Sequence, residues 1–218
     1  RADQDEFAAL SQRRAAEAAA ANDFADEIVP VPIRVKREEV MMTADEGPRP
    51  ETTAEVLAKL RPAFRSDGTV TAGNSSMLSD GAAAVVVANR QIAEESPAPY
   101  KARIVASYTS GVEPRDIFIA PVAAVRGVLK KAGLQPGDID LYELNEAFAA
   151  QMLACIKQLE LDPERVNVNG GAIALGHPIG ASGARTLVTL LSLLKRRGLR
   201  RGLVSLCLGG GNAGAMMV

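Results

Sequence analysis

From Val122 onward, apolar residues recur with the helical period and the strand period in turn, and that alternation limits the fold more than any other feature of the chain. The spacing predicts a helix over 122–131 with Gly133 at its end, a strand over 139–144 and a helix over 147–159. Val166 and Val168 start a short strand. A helix over 181–197 follows, with Leu187, Leu190, Leu191 and Leu194 as its buried stripe and Gly198 as its cap. Residues 203–208 and 214–218 read as two further strands. Strands interleaved with helices bury both faces of a sheet, so the fold class is α/β, layered, with a largely covered sheet.

The earlier part is less regular. Residues 1–20 read as a helix, with Phe7, Leu10 and a run of alanines spaced for one face and Arg13 and Arg14 late, where the helix dipole favours them. Residues 24–35 alternate apolar side chains with two prolines and read as an edge strand. Residues 36–50 are charged, hold Gly47, Pro48 and Pro50, and read as a surface loop. Thr52 or Thr53 caps a short helix through Leu60. The valine run within 82–88 reads as a buried strand, and 101–108 as another.

Composition bounds the partners. Apolar residues are 47% of the chain but aromatics only 4%, so the core must be built from Ala, Val, Leu and Ile. The net charge is −1 with Lys and Arg dispersed, which gives no footprint for nucleic acid. No apolar run reaches the length of a membrane span. Two cysteines in 218 residues are not a disulfide framework; a reducing compartment fits, and a cytoplasmic location is the expectation. The chain starts at Arg1 inside predicted helix, so it is expected to be the later part of something longer.

Three motifs carry chemistry. His177, the one histidine, lies in the glycine-dense run 167–183, where a helix start offers free N–H groups. A lone histidine is commonly a satisfied core residue; the flanking glycines tip the reading toward a site where backbone approaches a ligand. A neutral imidazole there can donate to a developing oxyanion. Cys207 heads the run Cys207-Leu-Gly-Gly-Gly211 and is either an inert small hydrophobe or, beside a base, a reactive thiol. The third motif, Tyr142-Glu-Leu-Asn-Glu-Ala-Phe-Ala149, crosses from strand to helix, where α/β ligand sites gather. Asn145 there is a site residue or only a helix cap. Cys155, among Met152, Leu153 and Ile156, reads as core.

Other chemistries fit poorly. Gly209, Gly211 and Gly214 match a dinucleotide fingerprint but lack the following helix and acidic residue. No pair of ligands has metal-type spacing, so no metal site is expected. The string Gly180-Ala-Ser-Gly183 is not a nucleophile elbow.

Taken together, Asn145-Glu-Ala-Phe148, Gly170-Gly-Ala-Ile-Ala-Leu-Gly-His-Pro-Ile-Gly-Ala-Ser-Gly183 and Cys207-x-Gly-Gly-Gly211 resemble thiolases, in that order and spacing. Leu60-Arg-Pro-Ala-Phe64, Thr69-Val-Thr-Ala-Gly-Asn74 and Asp80-Gly-Ala-Ala83 extend the resemblance over the whole chain. It implies a layered α-β-α half with a mixed five-stranded sheet over 79–218, preceded over 1–78 by part of the loop region that covers the substrate. It also implies an acyltransferase that cleaves 3-ketoacyl-CoA with CoA, or condenses two acyl-CoA molecules, in fatty acid and lipid metabolism.

The resemblance assigns roles as well. His177 and a water held by Asn145 would form one oxyanion hole, and the N–H of Gly209 would serve a second. Cys207 would be the acid/base at the α-carbon. Arg49 would meet the CoA nucleotide and Ser76 the pantetheine, with Phe64, Ala72, Ala147 and Phe148 lining the tunnel. CoA is then a substrate and no covalent cofactor is expected. Neither Cys207 nor Cys155 matches the acylated nucleophile of the family. The chain is therefore expected to lack the N-terminal half, to need it as a partner segment or chain, and to be inactive without it. A homo-oligomer is expected by analogy. The competing reading is a catalytically silent acyl-CoA-binding or scaffold subunit derived from a thiolase.

Overall fold

The structure is a computed structural model that describes residues 1–218. Helix α1 (Ala2–Ala20) is followed by an antiparallel hairpin of β1 (Val31–Val35) and β2 (Glu38–Met42). Two short helices come next, α2 (Ala54–Leu57) and α3 (Arg90–Glu95). The remainder runs β3 (Ala106–Gly111), α4 (Ala120–Ala132), β4 (Leu141–Leu144), α5 (Ala149–Leu159), α6 (Ala172–Leu175), α7 (Ser182–Arg197), β5 (Gly202–Leu208) and β6 (Asn212–Met217). No helix is long and apolar enough to cross a membrane.

The main sheet has the order β3-β6-β5-β4. Strands β4 and β5 are parallel, and β6 is antiparallel to both of its neighbours. The β5–β6 turn passes through Gly210 and Gly211 at φ 77° and 88°, values that cost glycine little. One face of the sheet packs on α4 and α5 through Val125, Val128, Leu144, Met152, Leu203 and Met217. The other face meets α7 through Leu141, Val204, Leu190, Leu193 and Leu194. The layered α-β-α arrangement is thus present. Helices α4 and α7 end on left-handed Gly133 and Gly198, as their sequences predict.

Four strands form where five were expected. Val166 reaches Tyr142 in a single parallel bridge. Asn167 then turns away at φ 47°. Its side chain takes the place of a strand: Oδ1 accepts from Leu144 N and Nδ2 donates to Leu144 O, both at 2.8 Å. The backbone groups of β4 are satisfied without a fifth ladder.

Other expectations shift for similar reasons. Residues 82–88 form no strand, and Val86 is 99% exposed; an apolar run becomes a strand only where an edge pairs with it, and none does here. The strand expected over 24–35 is confined to 31–35, and the loop expected over 36–50 contains β2. Lys36, at φ 58°, makes that hairpin turn without a glycine. Strand β3 lies further along than 101–108 because pairing with β6 sets its register. Thr53 caps α2, its hydroxyl accepting from Val56 N at 3.3 Å. The buried face of α1 is Asp5, Ala8, Ser11, Gln12, Ala15 and Ala18 rather than one built on Phe7 and Leu10. Its small and polar residues let α1 lie close to α6 and hydrogen-bond into the region described next.

Candidate active site

The site forms where β4 and β5 end side by side. Asn145 N donates to Ser205 O at 2.9 Å, which carries the parallel pairing one residue past β4 and fixes Asn145. Asn145 is 2% exposed. It is not a helix cap, since α5 begins from Phe148.

The glycine run delivers His177 to the same place. Gly176 closes α6 at φ 93°, and a side chain there would collide with Ser79. His177 N donates to Met77 O at 3.1 Å. Helix α7 starts only at Ser182, so the ring lies between two helices rather than on a helix end. Nε2 of His177 is 3.3 Å from Asn145 Nδ2, and Nδ1 is 2.6 Å from Ser182 Oγ. Burial, and secondarily the Arg185 cation, holds the imidazole below its ordinary value, so the ring is neutral near neutral pH. An open depression of about 480 Å³ is lined by His177, Leu78, Ser79, Asp80 and Ile179.

Two buried carboxyl groups brace these elements. Glu146 accepts from Ser11 Oγ at 2.7 Å, Asn167 Nδ2 at 2.9 Å and Ile173 N at 3.1 Å, joining α1, the 167 turn and α6. Glu143 on β4 faces Arg185 on α7 at 3.7 Å. Burial outweighs that cation and pushes the Glu143 carboxyl up to about 8. Sequence reasoning gave no role to Ser182, Arg185 or Glu143; polar residues within a helix or strand read as solvent-facing unless their partners are known.

Cys207 faces Ala213 across the hairpin, two residues beyond the Leu144–Ser205 pair. It therefore shares the sheet end with Asn145 but makes no hydrogen bond to Asn145 or His177. It is partly exposed, and burial of its thiol raises its proton affinity. Gly209 follows it, and the space where a side chain would stand is open. Cys155 is fully buried in α5, as a core residue.

Of the expected CoA-contacting residues, four gather. Ser76 N donates to Ala147 O at 3.1 Å, and the Phe148 ring meets Phe64 edge-on at 6.3 Å. Phe118, which the sequence did not single out, packs on the same ring at 5.0 Å. Arg49 and Ala72 are exposed and lie outside this aromatic contact. Arg49 is held by its backbone N–H on Gln12 Oε1 at 2.7 Å.

Residues 98–218 match the family model described as thiolase, C-terminal domain, and residues 1–91 match that of the thiolase N-terminal domain. The expectation that the chain lacks the N-terminal half, and is inactive for that reason, is therefore not supported. An acetyl-CoA acetyltransferase of Thiocystis violacea is 51% identical over 216 residues, covering 99% of this chain and 55% of that protein. The peroxisomal 3-ketoacyl CoA thiolase 1 of Petunia hybrida is 48% identical over 223 residues, covering 99% and 48%. Among solved structures, the Bacillus anthracis acetyl-CoA acetyltransferase superposes with a TM-score of 0.93 at 47% identity, covering 99% of this chain and 55% of that one. A human mitochondrial 3-ketoacyl-CoA thiolase in complex with CoA gives 0.88 at 46%, covering 98% and 53%. The chain spans about half the length of the curated relatives it matches.

Proposed function

The chain belongs to the thiolase family, and on that premise we propose that it serves CoA-dependent acyl transfer: thiolytic cleavage of 3-ketoacyl-CoA, or the reverse condensation. The observation that carries this reading is the 3.3 Å contact of His177 Nε2 with Asn145 Nδ2 at the sheet end that also holds Cys207. Two polar groups converging beside a thiol suit an enolate: one face stabilises the oxygen, the other exchanges the α-proton.

In the cleavage direction, a thiolate adds to the β-carbonyl carbon and forms a tetrahedral oxyanion. As this collapses, the bond between the α- and β-carbons breaks, the acyl group stays on the attacking sulfur as a thioester, and the electron pair of the broken bond passes to the departing acyl-CoA as an enolate. The Cys207 thiol supplies the proton that quenches it. Burial keeps that thiol protonated at neutral pH, which fits an acid. In condensation, Cys207 as thiolate takes the α-proton and the enolate carbon attacks an acyl thioester, expelling a thiolate. His177 and Asn145 face the enolate oxygen, and Gly209 N–H serves the tetrahedral oxyanion.

The cluster of Phe64, Ser76, Ala147 and Phe148 offers an apolar slot with a polar anchor, which suits pantetheine. Ala72 would lie along the same tunnel, and Arg49 is the cationic, planar group for the nucleotide end. On this reading residues 1–78 contribute to the cover over the substrate and 79–218 supply the catalytic α/β layer. A thiol acid/base needs a reducing compartment, and the cytoplasm is the one we assign. Assembly as a homo-oligomer fits a relative described as the dimeric peroxisomal thiolase of Saccharomyces cerevisiae.

The test is thiolysis of acetoacetyl-CoA by the intact protein, with acetyl-CoA as the measured product. Cys207→Ser and His177→Ala should each abolish most of the turnover. Full activity in either variant sinks the reading, and CoA binding with no turnover in the intact protein favours a silent binding subunit instead.

A further inference from the structure

Ser182 stands behind His177, and its one hydroxyl hydrogen lies within reach of two groups, the Pro178 carbonyl at 2.9 Å and His177 Nδ1 at 2.6 Å. The Pro178 carbonyl can only accept, and Ser182 Oγ lies 2.9 Å from it, which gives the hydroxyl hydrogen an acceptor within its own turn, beside the Ala181 and Ser182 N–H groups that the same carbonyl takes at 2.8 Å. That hydroxyl has no second hydrogen. With its hydrogen on that carbonyl it accepts toward the ring, and on this assignment the 2.6 Å contact puts a hydrogen on His177 Nδ1. A neutral imidazole carries one N–H, which leaves Nε2 bare. Asn145 Nδ2, 3.3 Å away, donates to that bare nitrogen. The run is thus polarised one way: Asn145 N–H to Nε2, Nδ1–H to Ser182 Oγ, Ser182 O–H to the Pro178 carbonyl. Ser182 is 0% exposed, so water does not compete for this arrangement.

We propose that Ser182 is a positioning residue that holds His177 in the Nδ1–H tautomer, so that Nε2 acts first as proton acceptor and only then as oxyanion donor. The proposal rests on the reading of His177 as an oxyanion donor given above and places a proton-accepting task before it. In the first, an attacking thiol loses its proton: the S–H bond breaks, its electron pair stays on sulfur, and the proton binds Nε2. The ring becomes a cation with Nδ1–H still held by Ser182. In the second, the new Nε2–H donates to the enolate oxygen left when the bond between the α- and β-carbons breaks. Asn145 Oδ1 is buried with no hydrogen-bond partner, and rotation of the amide presents that acceptor to the protonated ring.

Because the chain has a single histidine, nitrogen NMR on isotope-labelled histidine reads this ring without overlap. At neutral pH the protein should show a protonated Nδ1 and an unprotonated Nε2. Ser182→Thr, which keeps a hydroxyl, should preserve that pattern. Ser182→Ala should shift the ring toward Nε2–H and lower kcat about tenfold or more, a part of what a general base commonly contributes, with KM for CoA little changed. A protonated Nε2 in the wild-type protein, or an unchanged tautomer in Ser182→Ala, overturns the proposal. Should Ser182→Ala fail to fold, the wild-type and Ser182→Thr spectra decide. The NMR result is independent of turnover, so failure of this inference and failure of the thiolase reading are told apart.

Discussion

The Glu146 carboxylate occupies the space where a side chain at position 171 would have to stand. A Cβ built on Gly171 runs into the carboxyl carbon and both of its oxygens. The carboxylate cannot yield, because three donors from three segments hold it. Gly171→Ala should therefore force apart α1, the 167 turn and α6, at a cost of about 2 kcal/mol or more, in the range of overpacked cores. Urea denaturation checks this; a midpoint unchanged from wild type contradicts it. Glu146→Gln keeps the shape but turns one acceptor into a donor. The loss should be about 1–3 kcal/mol, the cost of a buried donor left without its partner.

The Glu143 carboxyl gives a pH dependence of definite sign. The folded protein holds this proton up to about pH 8, whereas the unfolded chain releases it near the ordinary carboxyl value of 4.5. Between those values folding takes up a proton. Stability from this group is therefore fully present at the acid end and is lost as pH rises through the folded value. The slope is about 1.4 kcal/mol per pH unit per proton at its steepest. Thermal melts of wild type minus Glu143→Gln should show wild type losing its relative advantage from pH 5 to pH 8, in the window set by those two values. A flat difference shows that Arg185 keeps Glu143 ionised throughout.

His177 has the opposite sign. Its folded value is lowered by burial, so the ring resists the proton that the unfolded chain takes near 6.5. The NMR titration midpoint of its ring should lie below 6.5, and the acid limb of kcat/KM should lie there too. A midpoint above 6.5 contradicts the burial argument.

What the sequence disclosed and what it hid divide along a physical line. Helix ends on Gly133 and Gly198 were readable because caps are local, and so was half of the stripe expected on α7: Leu190 and Leu194 are buried, whereas Leu187 and Leu191 are only partly so and Leu193 takes their place. The run 82–88 misled because its apolar pattern states that it is buried by something, and pairing depends on an edge elsewhere. Asn167 was unremarkable in sequence; only the fold shows its amide replacing a strand. The convergence of Asn145 with His177 followed from family resemblance, since no local spacing brings residues 32 apart together. Ser182 and Arg185 stayed hidden because helical polar residues look solvated until the partners Pro178 and Glu143 are seen.

Phe148 links the aromatic slot to the catalytic strand end, touching Phe118 at 5.0 Å and Phe64 at 6.3 Å. Phe148→Ala should weaken CoA binding about tenfold, the scale of one lost aromatic contact of about 1.5 kcal/mol. Calorimetric titration with CoA checks it, and equal affinity in the variant removes Phe148 from the tunnel.

The two thiols should differ in reactivity. Burial pushes the Cys155 thiol up to about 11, and its side chain is fully enclosed beside Gln151 and the Phe118 carbonyl. Cys207 is also raised by burial but is partly exposed at the sheet end. Thiolate, not thiol, reacts with iodoacetamide. Alkylation of the native protein should therefore start at Cys207, proceed slowly at neutral pH and quicken as pH rises, with Cys155 modified only on unfolding. Peptide mass mapping after timed alkylation reads both sites. Prior CoA should slow the Cys207 reaction if this thiol faces the acyl site, and alkylation of Cys155 ahead of Cys207 contradicts the assignment of one as acid/base and the other as core.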